Sequence, residues 1–160
     1  MHGQAFAIGA VVIDGHRKTH DEFTARCPIK GDVDSWVKDN VLPAIANMQQ
    51  SHDSYIAMRE AFWEWYLKAR AASDYVLVNN GYPVEYRFLI DCQEADIDER
   101  YWQHPFPLIE LTSMLVALNL ANEKVKAELL AKAAKGQNFR THNPLDDAKL
   151  SALIAFEALK

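Results

Sequence analysis

The sequence has few cysteines and no long apolar run. Cys27 and Cys92 are the two cysteines among 160 residues, and they have neither the paired spacing of a zinc ribbon nor the density of a secreted disulfide scaffold. No apolar stretch approaches the roughly 18–20 residues of a membrane-spanning helix, and the opening residues lack the cationic and apolar regions of a signal peptide. These absences predict a cytoplasmic protein that is neither secreted nor membrane-bound.

Basic residues are scarce relative to acidic ones. Lys and Arg total 17 against 22 Asp and Glu, a formal net charge of −5, so the global charge does not favour binding to nucleic acid. An acidic chain can still process nucleic acid through bound metal ions, provided that carboxylates cluster. The sequence also contains no G-x-x-x-x-G-K-S/T phosphate loop and no G-x-S-x-G nucleophile elbow, which argues against a P-loop enzyme and an α/β hydrolase.

The composition is typical of one soluble globular domain, with 49% hydrophobic, 11% aromatic and 24% charged residues. A chain of this size buries roughly 68–70% of its unfolded surface, so a core forms without disulfides or structural metals. No repeat or low-complexity segment divides the chain, and residues 1–160 are predicted to form a single domain.

The first third of the chain predicts a hairpin followed by two helices. Residues 5–14 read AFAIGAVVID, which is apolar on both faces and predicts a strand covered by helices on both sides. Residues 18–29 alternate and predict a half-exposed strand paired with the first. A short helix is expected at 35–40, stopping near Pro43. A stronger helix, capped by Asp53 or Ser54, continues to Leu67, and we interpret its aromatic stripe as core rather than as a surface for stacking bases.

The rest of the chain alternates short strands with helices. The predicted strands are 75–78 and 108–109, and the predicted helices are 84–94, a segment through Met114 and Leu118, 123–134, and a last helix capped by Asn143 with Pro144 in its first turn. This order predicts an α/β sandwich with a mixed sheet, whose site lies at strand ends.

His142 and Asp147 lie at the start of the last predicted helix. One interpretation is structural: Asn143 caps the helix, Asp146 and Asp147 complement its positive end, and His142 is a loop residue. The other is catalytic: Asp147 binds a divalent metal while His142 takes a proton from metal-bound water. Magnesium and manganese prefer such oxygen ligands. Both interpretations fit the sequence.

Glu85 is a second candidate, because it opens a helix directly after a short strand and a turn. An acidic residue in a first turn is favourable with or without a bound metal. The sequence leaves the structural and the functional interpretation of Glu85 open.

Taken together, these segments resemble the DEDDh 3′–5′ exonuclease superfamily, of ribonuclease H-like fold, and most of all its small bacterial exoribonuclease-like branch. The resemblance is carried by the order of elements, AFAIGAVV at 5–12, SWVKDNVLP at 35–43, NNGYPVEYRFL at 79–89, and the H-x-x-x-x-D motif of His142 and Asp147. It covers nearly the whole chain and implies a three-layer sandwich around a mixed central sheet.

The resemblance also implies an activity, the hydrolysis of phosphodiester bonds at the 3′ end of RNA or single-stranded DNA. In that family four acidic residues hold two metal ions, Mg²⁺ or Mn²⁺, and a histidine activates water. The base maps to His142 and the metal ligands map to Asp147 and Glu85, the latter a departure from the usual aspartate. A further aspartate is expected among Asp91, Asp96 and Asp98, with no spacing to select one. Arg140 and Lys135 are candidates for phosphate contacts, or are solvated loop charges.

The main departure from the family is the absence of its first strand, which carries an Asp-x-Glu motif. Only residues 1–4 precede the strand at 5–14, so we expect that the chain starts inside its natural reading frame. Without that strand the predicted sheet has an exposed apolar edge. We expect either closure of the sheet across the gap or a homodimer that covers the edge. The alternative function is a non-catalytic exonuclease-like domain that binds a partner or nucleic acid.

Overall fold

A computed structural model describes residues 4–79 and 81–160 of the chain, which have a mixed α/β structure. The strands are β1 (Ala7–Ile13), β2 (Thr19–Arg26), β3 (Val76–Val78) and β4 (Leu108–Glu110). The helices are α1 (Ser35–Ala44), α2 (Tyr55–Ala71), α3 (Tyr86–Glu94), α4 (Ile97–Arg100), α5 (Leu111–Ala117), α6 (Glu123–Ala133) and α7 (Pro144–Ala158). A π-helical turn at Gly81–Glu85 precedes α3, and a 3-10 turn at Tyr101–Gln103 follows α4.

The predicted hairpin is confirmed. Strands β1 and β2 pair antiparallel, with Ala7 opposite Arg26 and Val12 opposite Asp21, and the register shifts next to Ile13. At the turn, one carboxylate oxygen of Asp14 accepts hydrogen bonds from the backbone N–H groups two and four residues further along. This local hydrogen bonding explains why the turn could be predicted from a short segment of sequence.

Strand β1 is less covered than its sequence predicts. Of its seven residues, Ile8 is buried and the other six are half-buried. One face packs on the cluster formed with α2 and α3, and α7 packs against the other, where Gly9 meets the backbone of Pro144 and Leu145. The contact at Gly9 fixes the start of α7 against the strand.

The predicted single mixed sheet does not form within the described residues. Strands β3 and β4 pair parallel, with Leu77 opposite Ile109, and form a sheet separate from that of β1 and β2. No described strand pairs with the outer edge of β1, so the expected closure of the sheet is not observed in the single chain. The α/β class is retained, with two small sheets packed on helices.

Helix α2 supplies the largest aromatic part of the core. The Ser54 Oγ accepts a hydrogen bond from the N–H of Ala57, which confirms the predicted cap. Phe62 packs edge-on against Phe88 of α3 with ring centroids 5.0 Å apart, and Tyr66 is also buried. The prediction that this stripe is core is therefore confirmed.

Helix α1 and the segment that follows α3 differ from their prediction. Helix α1 begins at the predicted residue, Ser35, and runs past Asn40 to Ala44, so it ends next to Pro43 as expected. A short helix and a 3-10 turn, spanning residues 97–103, occur where no helix was predicted. The Asn79 to Gly81 turn is described in part, since Asn80 lies outside the described residues.

In the described part of the chain, no helix has both the length and the apolar character to cross a membrane.

Candidate functional site

Asn143 caps the start of α7, whereas His142 and Asp147, the two residues with predicted chemistry, do not. The Asn143 Oδ1 accepts hydrogen bonds from the N–H groups of Leu145 and Asp146, each at 3.2 Å. The Asp146 carboxylate accepts a hydrogen bond from the N–H of Arg140 at 2.9 Å. Capping of the helix is therefore provided by Asn143, and closure of the preceding loop by Asp146.

Asp147 has a different environment from its neighbour. Its carboxylate is half-buried and accepts a hydrogen bond from the backbone N–H of His142. Burial raises the pKa of this carboxyl above its ordinary value, although the charge and the N–H of His142 act in the opposite direction. Desolvation outweighs the favourable electrostatics of a helix start here. A half-buried carboxylate with a raised pKa next to a histidine is a functional-site candidate.

The backbone of His142 has a left-handed conformation, with φ of 65°. Residues other than glycine adopt this conformation rarely and at a cost of about 1–3 kcal/mol, and such residues concentrate at functional sites. The conformation places the His142 ring edge-on to the indole of Trp36, with centroids 5.1 Å apart. Helix α1 thus contributes an aromatic wall to the start of α7.

Trp36 was not predicted as a site residue. Its side chain is 55% exposed, so its contact with His142 leaves much of the indole open to solvent. The only sequence signal for it was its position in the SWVKDNVLP segment, which supported the resemblance without assigning a role to the tryptophan.

A cavity of about 330 Å³ adjoins this site on the side of β2. Its polar lining includes Thr24, Asn47, Arg140 and Asp146, and Met48 provides an apolar wall. The predicted phosphate contact Arg140 is exposed and lies beside a cavity of the size of small-molecule sites.

Glu85 is half-buried at the junction of the π-helical turn and α3, and its side chain makes no capping hydrogen bond to that helix. Asp91 accepts a hydrogen bond from Tyr55 and forms an ion pair with Arg87, and Asp96 caps α4. Two of the three candidates for the further aspartate that the resemblance implies, Asp91 and Asp96, therefore have a structural role.

The described residues do not complete a metal site. His142 and Asp147 lie together, but no three His, Cys, Asp or Glu side chains in residues 4–79 and 81–160 gather into a group that could hold a metal ion. Glu85 is therefore not brought into such a group with them. Asp147 is the one carboxylate of the pair that it forms with His142. Because Mg²⁺ prefers six oxygen ligands, water and substrate would have to supply the others.

The raised pKa of Asp147 predicts a stabilising substitution. A carboxyl whose pKa is raised by folding weakens the fold when it is ionised, and this penalty disappears below its unfolded pKa, near 3.8. Asp147→Asn keeps an oxygen for the His142 N–H and removes the charge. We expect the variant to be more stable than the parent chain in urea denaturation at pH 7, and about equally stable at pH 3. Lower stability at pH 7 would contradict the assigned effect of burial.

In comparisons with known proteins, no family model, no curated protein and no solved structure matches the chain.

Proposed function

We propose that the chain is a 3′–5′ exonuclease domain of the DEDDh type, which hydrolyses terminal phosphodiester bonds of RNA or single-stranded DNA with Mg²⁺ or Mn²⁺. The observation that carries the proposal is the pairing of half-buried Asp147 with His142. Neither residue is needed for the cap of α7, which Asn143 provides. A ribonuclease H-like fold is part of the proposal and is supported by the order of the elements.

Each residue of the site has a defined role in this proposal. His142 accepts the proton of the attacking water, and its ring is oriented by the edge-on contact with Trp36. Asp147 is the carboxylate available for a metal ion, whereas Glu85, the second ligand that the resemblance implies, does not lie in a group with the pair among the described residues. Arg140 binds phosphate at the adjoining cavity. Because the described residues gather no complete metal site, we assign no reaction step to the metal.

The incomplete site favours one alternative function. A domain that keeps His142 and Asp147 but gathers no third metal-binding side chain among its described residues is suited to binding a nucleic-acid 3′ end or another partner without cleaving it. The two functions differ in one measurable property, the release of nucleotides.

The test is release of nucleotides from a 3′-labelled single-stranded RNA in the presence of Mn²⁺. We expect the parent chain to release label and Asp147→Asn to lose at least 100-fold in rate. Asp146→Asn is the matched control, because its amide oxygen can still accept the Arg140 N–H and preserve the loop. A folded parent chain that binds the RNA but releases no label would reject the enzyme and support the binding domain.

The second partner that we expect for this chain is another copy of itself. Strand β1 has no charged residue, is mostly half-buried, and has no described strand on its outer edge. Such an edge favours pairing with another strand. We expect light scattering to show a dimer at micromolar concentration and a monomer for Val11→Lys, with the fold checked by circular dichroism. A parent chain that stays monomeric across the concentration range would exclude pairing along this edge.

A further inference from the structure

Three aromatic side chains that lie close together in the sequence are mostly exposed to solvent. Trp102 is 79% exposed, Phe106 is 76% exposed and Tyr101 is 53% exposed. We refer to residues 101–106 as the aromatic loop. Large apolar side chains grouped on a surface are characteristic of interaction sites, and tryptophan and tyrosine are the residues most often found at their energetic centres.

Three side chains from α2 and α3 donate hydrogen bonds to the backbone of the aromatic loop. The Gln93 amide donates to the carbonyl of Tyr101 at 3.2 Å, Arg70 donates to that of Trp102 at 3.4 Å, and the Tyr66 hydroxyl donates to that of Gln103 at 3.0 Å. These hydrogen bonds hold three successive carbonyls towards α2 and α3. The loop is therefore preorganised, which lowers the entropy lost when its side chains bind a partner.

The exposed charges next to the aromatic loop are negative, whereas the half-buried Arg70 donates to the backbone of the loop. Helix α4 runs directly into the 3-10 turn, so Asp98 and Glu99 lie one helical turn before Trp102 and share its side of the segment. Both are exposed, and neither forms an ion pair within the described part of the chain. The neighbouring Arg100 is turned inward, where it pairs with Glu60.

The combination of exposed aromatic rings and carboxylates indicates which kind of partner this surface can bind. Carboxylates beside the rings repel a phosphate backbone, so the surface is unsuited to single-stranded nucleic acid despite its aromatic side chains. Aromatic faces attract guanidinium and ammonium groups, and nearby carboxylates add to that attraction.

We propose that the aromatic loop, with Asp98 and Glu99, binds a segment of a partner protein that carries arginine or lysine side chains. The surface involves none of the residues assigned to the nuclease site, and the proposal does not depend on the proposed function.

The test uses the full chain and synthetic peptides in which arginines alternate with glycine and serine. Titration followed by nuclear magnetic resonance reports on the indole N–H of each tryptophan, and calorimetry gives the dissociation constant. We expect the arginine peptide to shift the Trp102 indole signal to saturation. Trp102→Ala and the double variant Asp98→Asn with Glu99→Gln are each expected to weaken binding at least 10-fold, whereas Trp36→Ala is expected to leave it unchanged.

Three outcomes would overturn the proposal. One is the absence of a Trp102 shift at millimolar arginine peptide, with the chain folded. Another is an equal shift with a peptide in which glutamate replaces arginine, or a stronger one with a uridine oligonucleotide. The third is a shift that depends on protein concentration without peptide, since this would assign the surface to a second copy of the chain.

Discussion

Gly9→Ala is expected to lower the free energy of unfolding by about 1–3 kcal/mol, the usual effect of inserting a methyl group into a closely packed contact. A Cβ atom at position 9 would lie 2.2 Å from the backbone nitrogen of Leu145 and 2.2 Å from the backbone carbonyl carbon of Pro144. Both neighbours are backbone atoms at the start of α7, so relief requires the helix to move. Chemical denaturation measures the loss, and for a chain of this size each kcal/mol lowers Tm by about 2–4 °C.

Gly15→Ala is the matched control for this prediction. Gly15 lies in the hairpin turn, and a Cβ there meets nothing within 4 Å. The same chemical change is therefore expected to alter the stability by no more than about 0.5 kcal/mol. Equal effects of the two substitutions would show that α7 does not approach β1 at Gly9 as closely as described.

The Gly9 contact also connects the fold to the candidate site. His142 and Asp147 flank the segment that packs on Gly9, so a displaced helix start would carry both with it. We expect Gly9→Ala to reduce nucleotide release more than Met58→Ala in the α2 core, a truncation that usually costs about 2–5 kcal/mol, when both are assayed well below their melting temperatures.

The elements that the sequence predicted correctly are those with local signals. The turn between the two hairpin strands, the Ser54 cap and the Asn143 cap each depend on hydrogen bonds within four residues of the side chain concerned. The buried stripe of α2 follows from its helical spacing. Such interactions form regardless of what the rest of the chain does, so a short window of sequence is sufficient.

The features that the sequence did not predict depend on contacts between distant segments. The contact of Trp36 with His142 joins α1 to the start of α7, and no periodicity in either segment encodes it. The separation into two sheets depends on which strands meet, which propensity does not specify. Residues 97–103 carry few apolar residues at helical spacing, and their helical turns are held by Arg100 through its contacts with Glu60 and the Cys92 carbonyl.

The candidate site was predicted in part for the same reason. The H-x-x-x-x-D spacing places His142 and Asp147 on either side of a capped helix start, and the structure brings them together. The burial that raises the pKa of Asp147 comes from the surrounding packing and could not be inferred from the spacing. Glu85 was proposed from the resemblance, and the described residues do not bring it into a metal-binding group with the pair.

His142→Asn is expected to reduce the rate of nucleotide release by about 10²–10⁴, the contribution typical of a positioned general base. Asparagine is preferred to alanine here, because the φ of 65° at this position is tolerated by asparagine better than by most residues. The variant should therefore retain the fold and the N–H that Asp147 accepts, while losing the imidazole. The loss should appear in kcat rather than in KM, since the ring acts on the attacking water and not on substrate binding.

Two further measurements distinguish a general-base role of His142 from a purely structural one. Added imidazole should restore part of the activity of His142→Asn, because a free base can occupy the space left beside Trp36. His16→Ala, at an exposed turn position, should retain the parental rate and show no response to imidazole. An unchanged rate for His142→Asn would remove the general-base role and leave His142 with only its backbone contact to Asp147, whereas a loss without imidazole rescue would give the ring a positioning role instead of that of a base.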